Sequence, residues 1–198
     1  MSGPAGRVGY FVTHPNVVVS ADVPVPRWPL SALGRDRMRA GLGLPWLAEV
    51  SAIYCSTERK AVDGAEIWAE ALGLSPVQVP ELGENDRSAT GFLPPPEFER
   101  VADAFFASPE RSVRGWERAC DAQARIVSAV SRLMRGDASA GAVVVVSHGA
   151  VGTLLWCHLR GESISRRWDQ PANGGGNYFQ FTLDPPSAAQ GWRPIDAP

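Results

Sequence analysis

Apolar positions along the chain fall into short runs separated by stretches of helical period, and the two alternate from end to end. Val8 to Val12 is a short apolar and aromatic run with Gly9 inside it, which predicts a first strand. A loop is predicted over 13–29, where Pro15, Pro24, Pro26 and Pro29 bar both continuous helix and central strand. Ser31 then precedes Leu33, Met38 and Leu42 at helical spacing, closed by Gly41 and Gly43. Ala52 to Cys55 reads as a second strand. Ala61, Ala65, Trp68, Ala69 and Leu72 predict a helix over 58–72, with Gly73 where a C-terminal cap belongs.

Val77 to Val79 is a third strand candidate, and the polar, turn-rich stretch from Glu81 to Pro96 predicts a surface loop. Helical period returns over 97–106 and 113–134. Ala142 to Val146 is a continuous, largely β-branched run, the signature of a strand buried on both faces. Ser147-His148-Gly149 closes it, a helix is predicted over 151–159, and 173–177 reads as a turn. Tyr178 to Leu183 alternates like a last strand. The alternation predicts an α/β fold: a three-layer sandwich with a mostly parallel central sheet and helices on both faces. No repeat or linker divides the chain, so residues 1–198 are expected to form a single domain.

Composition narrows the function classes. The chain has 198 residues, 44% of them apolar and 20% charged, the balance of an ordinary globular protein. A formal net charge of −2 argues against a nucleic-acid partner, which needs a basic surface, but permits a local cationic pocket. The run over Val143–Val146 is far too short to span a bilayer, so no membrane association is expected. Cys55, Cys120 and Cys157 are odd in number and widely spaced, which favours reduced thiols. Met1 to Arg7 lacks the basic and apolar pattern of a leader. Together these point to the cytoplasm. No Cys/His spacing suggests a metal, and no cofactor is expected.

In open α/β sheets, active sites gather at the carboxyl ends of strands. Three strand ends here carry reactive residues: Thr13-His14-Pro15, Ser56-Thr57 with Arg59 and Lys60 following, and Ser147-His148-Gly149. Two of the chain's three histidines sit at strand ends, whereas His158 falls within a helix. A lone histidine after a strand is more often a structural hydrogen-bonder, so it is the ordered set that gives the pair weight.

The order of His14 after the first strand, Leu30-Ser-Ala-Leu-Gly-Arg35, Cys55-Ser-Thr-Glu-Arg-Lys-Ala61 with Ala65-Glu66-Ile67, Leu82-Gly-Glu84, and Val146-Ser-His-Gly149 resembles the histidine phosphatase (phosphoglycerate mutase-like) superfamily. The resemblance runs from about Arg7 to Leu183. It implies that His14 accepts a phosphoryl group, that His148 binds the transferring oxygens, and that Glu84 is the general acid. The position of the family's helix arginine falls on Lys60, with Arg59 one residue before it. The implied reaction needs no metal, because cationic side chains stabilise the phosphoryl charge.

Two departures stand out. The family's Arg-His-Gly reads Thr13-His14-Pro15 here, which removes a bidentate donor and a backbone N–H. Lys60 keeps the charge of an arginine but not its planar fork. Alignment favours Lys60 and donor geometry favours Arg59, and about 100° of helix rotation separates them, so only one should face the pocket. Asn16 and Thr13 are further candidate phosphate donors, and Arg27, Trp28 and Arg87 are candidate substrate contacts. Glu81 and Asp86 flank Glu84 as rival acids. The other tryptophans and the Arg166-Arg167 pair read as core, anchor or solvated positions. The glycines at 174–176 lack the lysine and context of a P-loop and read as a turn.

Three readings follow. The first is a phosphatase of a small phosphorylated metabolite, with a mutase as a close variant disfavoured by the lack of a capping insertion. The second is a catalytically impaired relative that binds a phosphorylated ligand, inorganic phosphate or a protein partner. The third, a nucleotide-binding protein, needs a glycine-rich loop after the first strand that 13–16 do not supply. Substrate identity and oligomeric state are not encoded in any motif.

Overall fold

The structure, a computed structural model, describes residues 6–197. Met1 to Ala5, part of the start read above for a leader, and Pro198 lie outside the described residues. Six strands form one sheet in the order β3-β2-β4-β1-β5-β6. They are β1 (Gly9–Thr13), β2 (Val50–Cys55), β3 (Val77–Gln78), β4 (Ala142–Ser147), β5 (Asn177–Leu183) and β6 (Pro186–Pro194). The first four in space pair in parallel, and β5 and β6 join antiparallel at one edge. The sheet is therefore mixed, with its parallel part at the centre.

Strand alternation divides the core in two. Phe11, Val143, Val145, Phe179 and Phe181 point to the face covered by α3 (Pro95–Ala107), α4 (Ala119–Gly136) and α5 (Gly149–Arg160). Tyr10, Val12, Val144, Val146 and Tyr178 point to the face covered by α1 (Ala32–Ala40) and α2 (Arg59–Leu72). Every residue of β1 and β4 is buried, as the run of valines predicts for a strand enclosed by two helical layers. Ser31 caps α1 by accepting from the Gly34 amide at 3.1 Å. Gly73 closes α2 in the left-handed conformation at φ +66°.

Three expectations need correction. Residues 186–194 form β6, which the alternation over 178–183 did not extend to. Residues 113–118 precede α4 as a turn rather than belonging to it, with Gly115 at φ +81° and Trp116 buried. The 81–96 stretch is not wholly a surface loop, because Leu82 is fully enclosed and Asn85 is buried. Among the described residues no helix is long and apolar enough to cross a membrane, and no group of three or more His, Cys, Asp or Glu is arranged to hold a metal ion.

Candidate active site

Strand register builds the site. Thr13 lies opposite Ser147 in the β1–β4 pair, so the chain leaves both strands at the same level and sets His14 beside His148. The His14 amide donates to the Ser147 carbonyl at 3.0 Å, and the two imidazole centroids are 5.2 Å apart at 69°. On the other side of β4, Cys55 lies opposite Val146, which brings Ser56 and Glu58 up to His148. Because α1 leaves on one face of the sheet and α5 on the other, the carboxyl ends of β1 and β4 open a crevice between them.

His14 is half-buried, and its Nδ1 lies 2.9 Å from the Pro15 carbonyl. A carbonyl only accepts, so Nδ1 carries the proton and Nε2 keeps its lone pair. Burial, then the charge of Lys60, lower the imidazole pKa to about 4 against the pull of that carbonyl and of Glu58. The ring is neutral at pH 7. The backbone of His14 is clasped from the far end of the chain: Gly176 N–H donates to its carbonyl at 3.1 Å. Gly174, Gly175 and Gly176 take φ of +83°, +79° and +66°, and a Cβ on Gly175 would stand 2.3 Å from the His14 oxygen. Only glycine meets both demands.

His148 is fully enclosed. Its Nε2 is 2.8 Å from Ser56 Oγ and 3.3 Å from Glu58 Oε1, while its Nδ1 is buried without a partner. Burial holds its pKa well below the ordinary histidine value, with Glu58 opposing. Glu58 precedes α2 but does not cap it. One carboxylate oxygen accepts from the Glu84 amide at 2.9 Å, and the other pairs with Lys60 Nζ. Burial alone would push Glu58 up, but His148, Lys60 and these hydrogen bonds outweigh it and hold the carboxyl at about 2.

Glu84 is fixed by the turn that carries it. Ser147 Oγ donates to the carbonyl of buried Leu82 at 2.7 Å. Arg125 donates to the carbonyls of Glu81, Gly83 and Glu84 at 2.8, 2.9 and 3.2 Å. The Glu84 side chain meets the N-terminus of α5: Oε1 accepts from Val151 and Asn85 amides, and Oε2 from Ala150 alone, at 3.2 Å. Oε2 is thus the freer site for a proton. Burial raises this carboxyl above its ordinary value, with Glu58 adding to it and Arg87 and the two α5 amides opposing.

The sequence candidates separate clearly. Lys60 points inward, only 3% exposed, and also donates to the Val25 carbonyl at 3.0 Å. Arg59 points outward, 56% exposed, and pairs with Asp63 at 2.7 Å. Of the rival acids, Glu81 pairs with Arg132 at the surface, and Asp86 is exposed. The Thr13 hydroxyl donates to Gln170 Oε1 at 2.7 Å and accepts from the Asn177 amide at 3.0 Å, so it has no donor left for phosphate. Asn16 accepts from Arg37 at 2.9 Å within a network reaching Asp196. Arg27 is exposed and lines no part of the cleft described next. Trp28 is not a substrate wall: it is buried, and Nε1 donates to the Ser20 and Val23 carbonyls at 2.9 Å each.

A cleft of about 690 Å³ opens between residues 21–26 and 83–92, with Glu58 and Glu84 in its lining and Arg87 beside them. Arg87 is held over the rings of Phe98 and Trp116, at 5.2 and 5.6 Å. Ser56, read from the sequence only as a reactive residue at a strand end, is the hydroxyl on His148, while sequence reasoning missed Glu58 and Gln170. Glu58 lay within the Ser-Thr-Glu-Arg-Lys-Ala string, where an acid beside two cations was the available signal. Gln170 carried none. A Cβ on Gly149 would stand 2.5 Å from its Nε2, which places that amide against the first residue of α5.

Comparison with known proteins agrees with this fold. The family model described as histidine phosphatase superfamily (branch 1) matches residues 22–186. His14 lies outside that stretch, so its placement rests on register and hydrogen bonding. A mycobacterial glucosyl-3-phosphoglycerate phosphatase, solved with inorganic phosphate, is similar at 20% identity and TM-score 0.75, covering 97% of this chain and all of that one. YhfR of Bacillus stearothermophilus is 25% identical with TM-score 0.72, covering 92% of this chain and 94% of that one. A putative alpha-ribazole-5'-P phosphatase of Escherichia coli is 16% identical with TM-score 0.67, covering 98% and 97%. No curated protein matches by sequence.

Proposed function

The chain belongs to the histidine phosphatase superfamily, and from that premise we propose that it hydrolyses the phosphate monoester of a small metabolite through a phosphohistidine at Nε2 of His14. The observation that carries the reading is the Nδ1–Pro15 hydrogen bond on a neutral ring. It leaves a nucleophilic lone pair on the nitrogen away from the backbone. The solved relatives with phosphate or vanadate bound are consistent with a small phosphorylated substrate.

Nε2 of His14 attacks phosphorus as the P–O bond to the leaving alcohol breaks, and Glu84 gives its proton to the departing oxygen. The ionised Glu84 then takes a proton from water, whose oxygen attacks the phosphohistidine and releases phosphate. His14 and protonated Glu84 are regenerated, so no metal or cofactor enters the cycle. His148 Nδ1, enclosed and unpartnered, donates to a phosphoryl oxygen, and Glu58 at its Nε2 opposes the burial that keeps the ring neutral. Lys60 supplies the nearby positive charge. The chemistry and the three unpaired cysteines suit a cytoplasmic enzyme.

One observation favours the second reading, a phosphate-binding relative without turnover: Lys60 is already paired with Glu58 and Thr13 with Gln170. Turnover of 4-nitrophenyl phosphate by wild type and His14→Ala separates the two, combined with intact-mass measurement after a non-acidic quench. Phosphate release and a phosphoryl adduct on the wild type alone are expected. A folded wild type with neither, between pH 4 and 8, would overturn hydrolysis and leave binding.

A further inference from the structure

The cleft beside Glu84 is where a leaving group would lie, and its lining is unlike a site for a polyanion. Val23, Pro24, Pro26, Pro80 and Phe92 provide apolar walls that lose no side-chain freedom or very little. Phe92 is braced by Trp28 at 5.6 Å, edge to face, so the two loops form one wall. The charged lining comprises Asp22, Glu58, Glu84 and Asp86 against Arg87 as its one cation among the described residues. Lys60, nearby, is buried and held by Glu58 and the Val25 carbonyl. Asn85, also in the lining, is 3% exposed, and its Nδ2 is buried with no hydrogen-bond partner.

We infer that the cleft selects phosphomonoesters whose alcohol is compact, apolar and free of negative charge. This rests on the phosphatase reading for its orientation, phosphoryl at the histidines and alcohol past Glu84. A volume of about 690 Å³ lies within the range of sites that enclose a small organic molecule. A carboxylate on the alcohol would meet Asp22 and Asp86 beside the Glu58–Lys60 pair, with Arg87 as the lining's one cation among the described residues, and that arginine is already engaged by two aromatic faces. A neutral amide in the same place would meet no such repulsion.

The test uses a matched trio, 4-carbamoylphenyl, 4-carboxyphenyl and 4-(aminomethyl)phenyl phosphate, with the corresponding benzylphosphonates as non-hydrolysable ligands read by calorimetry. The carbamoyl compound is expected to exceed the carboxylate at least tenfold in both kcat/KM and phosphonate affinity, with the ammonium compound between them or equal to the first. Asp22→Lys, at an exposed position of the mouth, should narrow the gap several-fold by improving the carboxylate. Equal or reversed ranking overturns the selectivity, whether or not the esters turn over. Ranked phosphonate binding without any turnover supports the cleft and counts against the hydrolase instead.

Discussion

Glu58 holds a carboxylate oxygen 3.3 Å from Nε2 of His148, so a negative charge stands inside a site otherwise furnished for anions. Glu58→Gln removes that charge, and with it the partner that would support a proton on His148 when a phosphoryl group binds. We expect kcat to fall ten- to a hundredfold, while inorganic phosphate inhibits at equal or lower concentration because Lys60 is released. Steady-state kinetics with phosphate inhibition reads both, and an unchanged kcat would contradict the role given to Glu58. Lys60 is left buried and unpaired in the same variant, so unfolding free energy should also drop, by about 3 kcal/mol.

The imidazole of His14 is lowered to about 4 and the carboxyl of Glu84 is raised, so the two have moved toward or past one another. Activity needs neutral His14 and protonated Glu84 together, and kcat/KM should therefore peak on the acid side of neutrality. The acid limb should report His14 near 4, and the basic limb Glu84. A profile whose acid limb lies at 6.5 would disprove this assignment. The linked stability has a definite sign. His14 takes up its proton more readily unfolded than folded, so the native state loses stability as pH falls below 6.5 toward 4.

Lys60→Ala and Arg59→Ala should differ sharply. Lys60 is enclosed beside His14, and its loss should lower kcat/KM at least a hundredfold. Arg59 is exposed and leaves Asp63 still paired with Arg35 at 2.7 Å, so its removal should change activity less than about threefold. Comparable losses in both variants would show that the helix does not present Lys60 alone.

Arg125→Ala should act through Glu84. Three carbonyl bonds to the 81–84 turn vanish with the guanidinium, and the acid loses its fixed position. The expected result is a tenfold or larger fall in kcat with a shifted basic limb, partly restored by Arg125→Lys. A stability change with an unaltered pH profile would mean that Arg125 only holds the turn together.

Gly175→Ala should cost more than Gly73→Ala. Both glycines have positive φ, so each substitution carries about 1 kcal/mol of backbone strain. Nothing lies within 4 Å of a Cβ on Gly73, whereas one on Gly175 meets the His14 carbonyl at 2.3 Å. Denaturant unfolding should show the difference, and only the Gly175 variant should also lose activity.

Much of this was legible because strand ends and helix caps leave local marks. Val143–Val146 reads as a strand covered on both faces, and its register with β1 sets His14 beside His148. β6 was hidden because Pro186, Gly191 and Pro194 read as turn residues; an edge strand tolerates them where a central one would not. Arg59 and Lys60 could not be ranked from chain order, since the rotation that buries one is set by how α2 packs on the sheet. Leu82 looked like a loop residue until the Ser147 hydroxyl and Arg125 drew its backbone inward. Glu58 was overlooked because an acid at the start of a helix already has an ordinary explanation.

The glycine turn that clasps His14 lies far along the chain from it. On a ribosome, His14 emerges well before residues 170–177, whose arrival gives its carbonyl and the neighbouring Thr13 hydroxyl their partners. A chain that lacks that turn would thus carry a nucleophile with nothing to aim it.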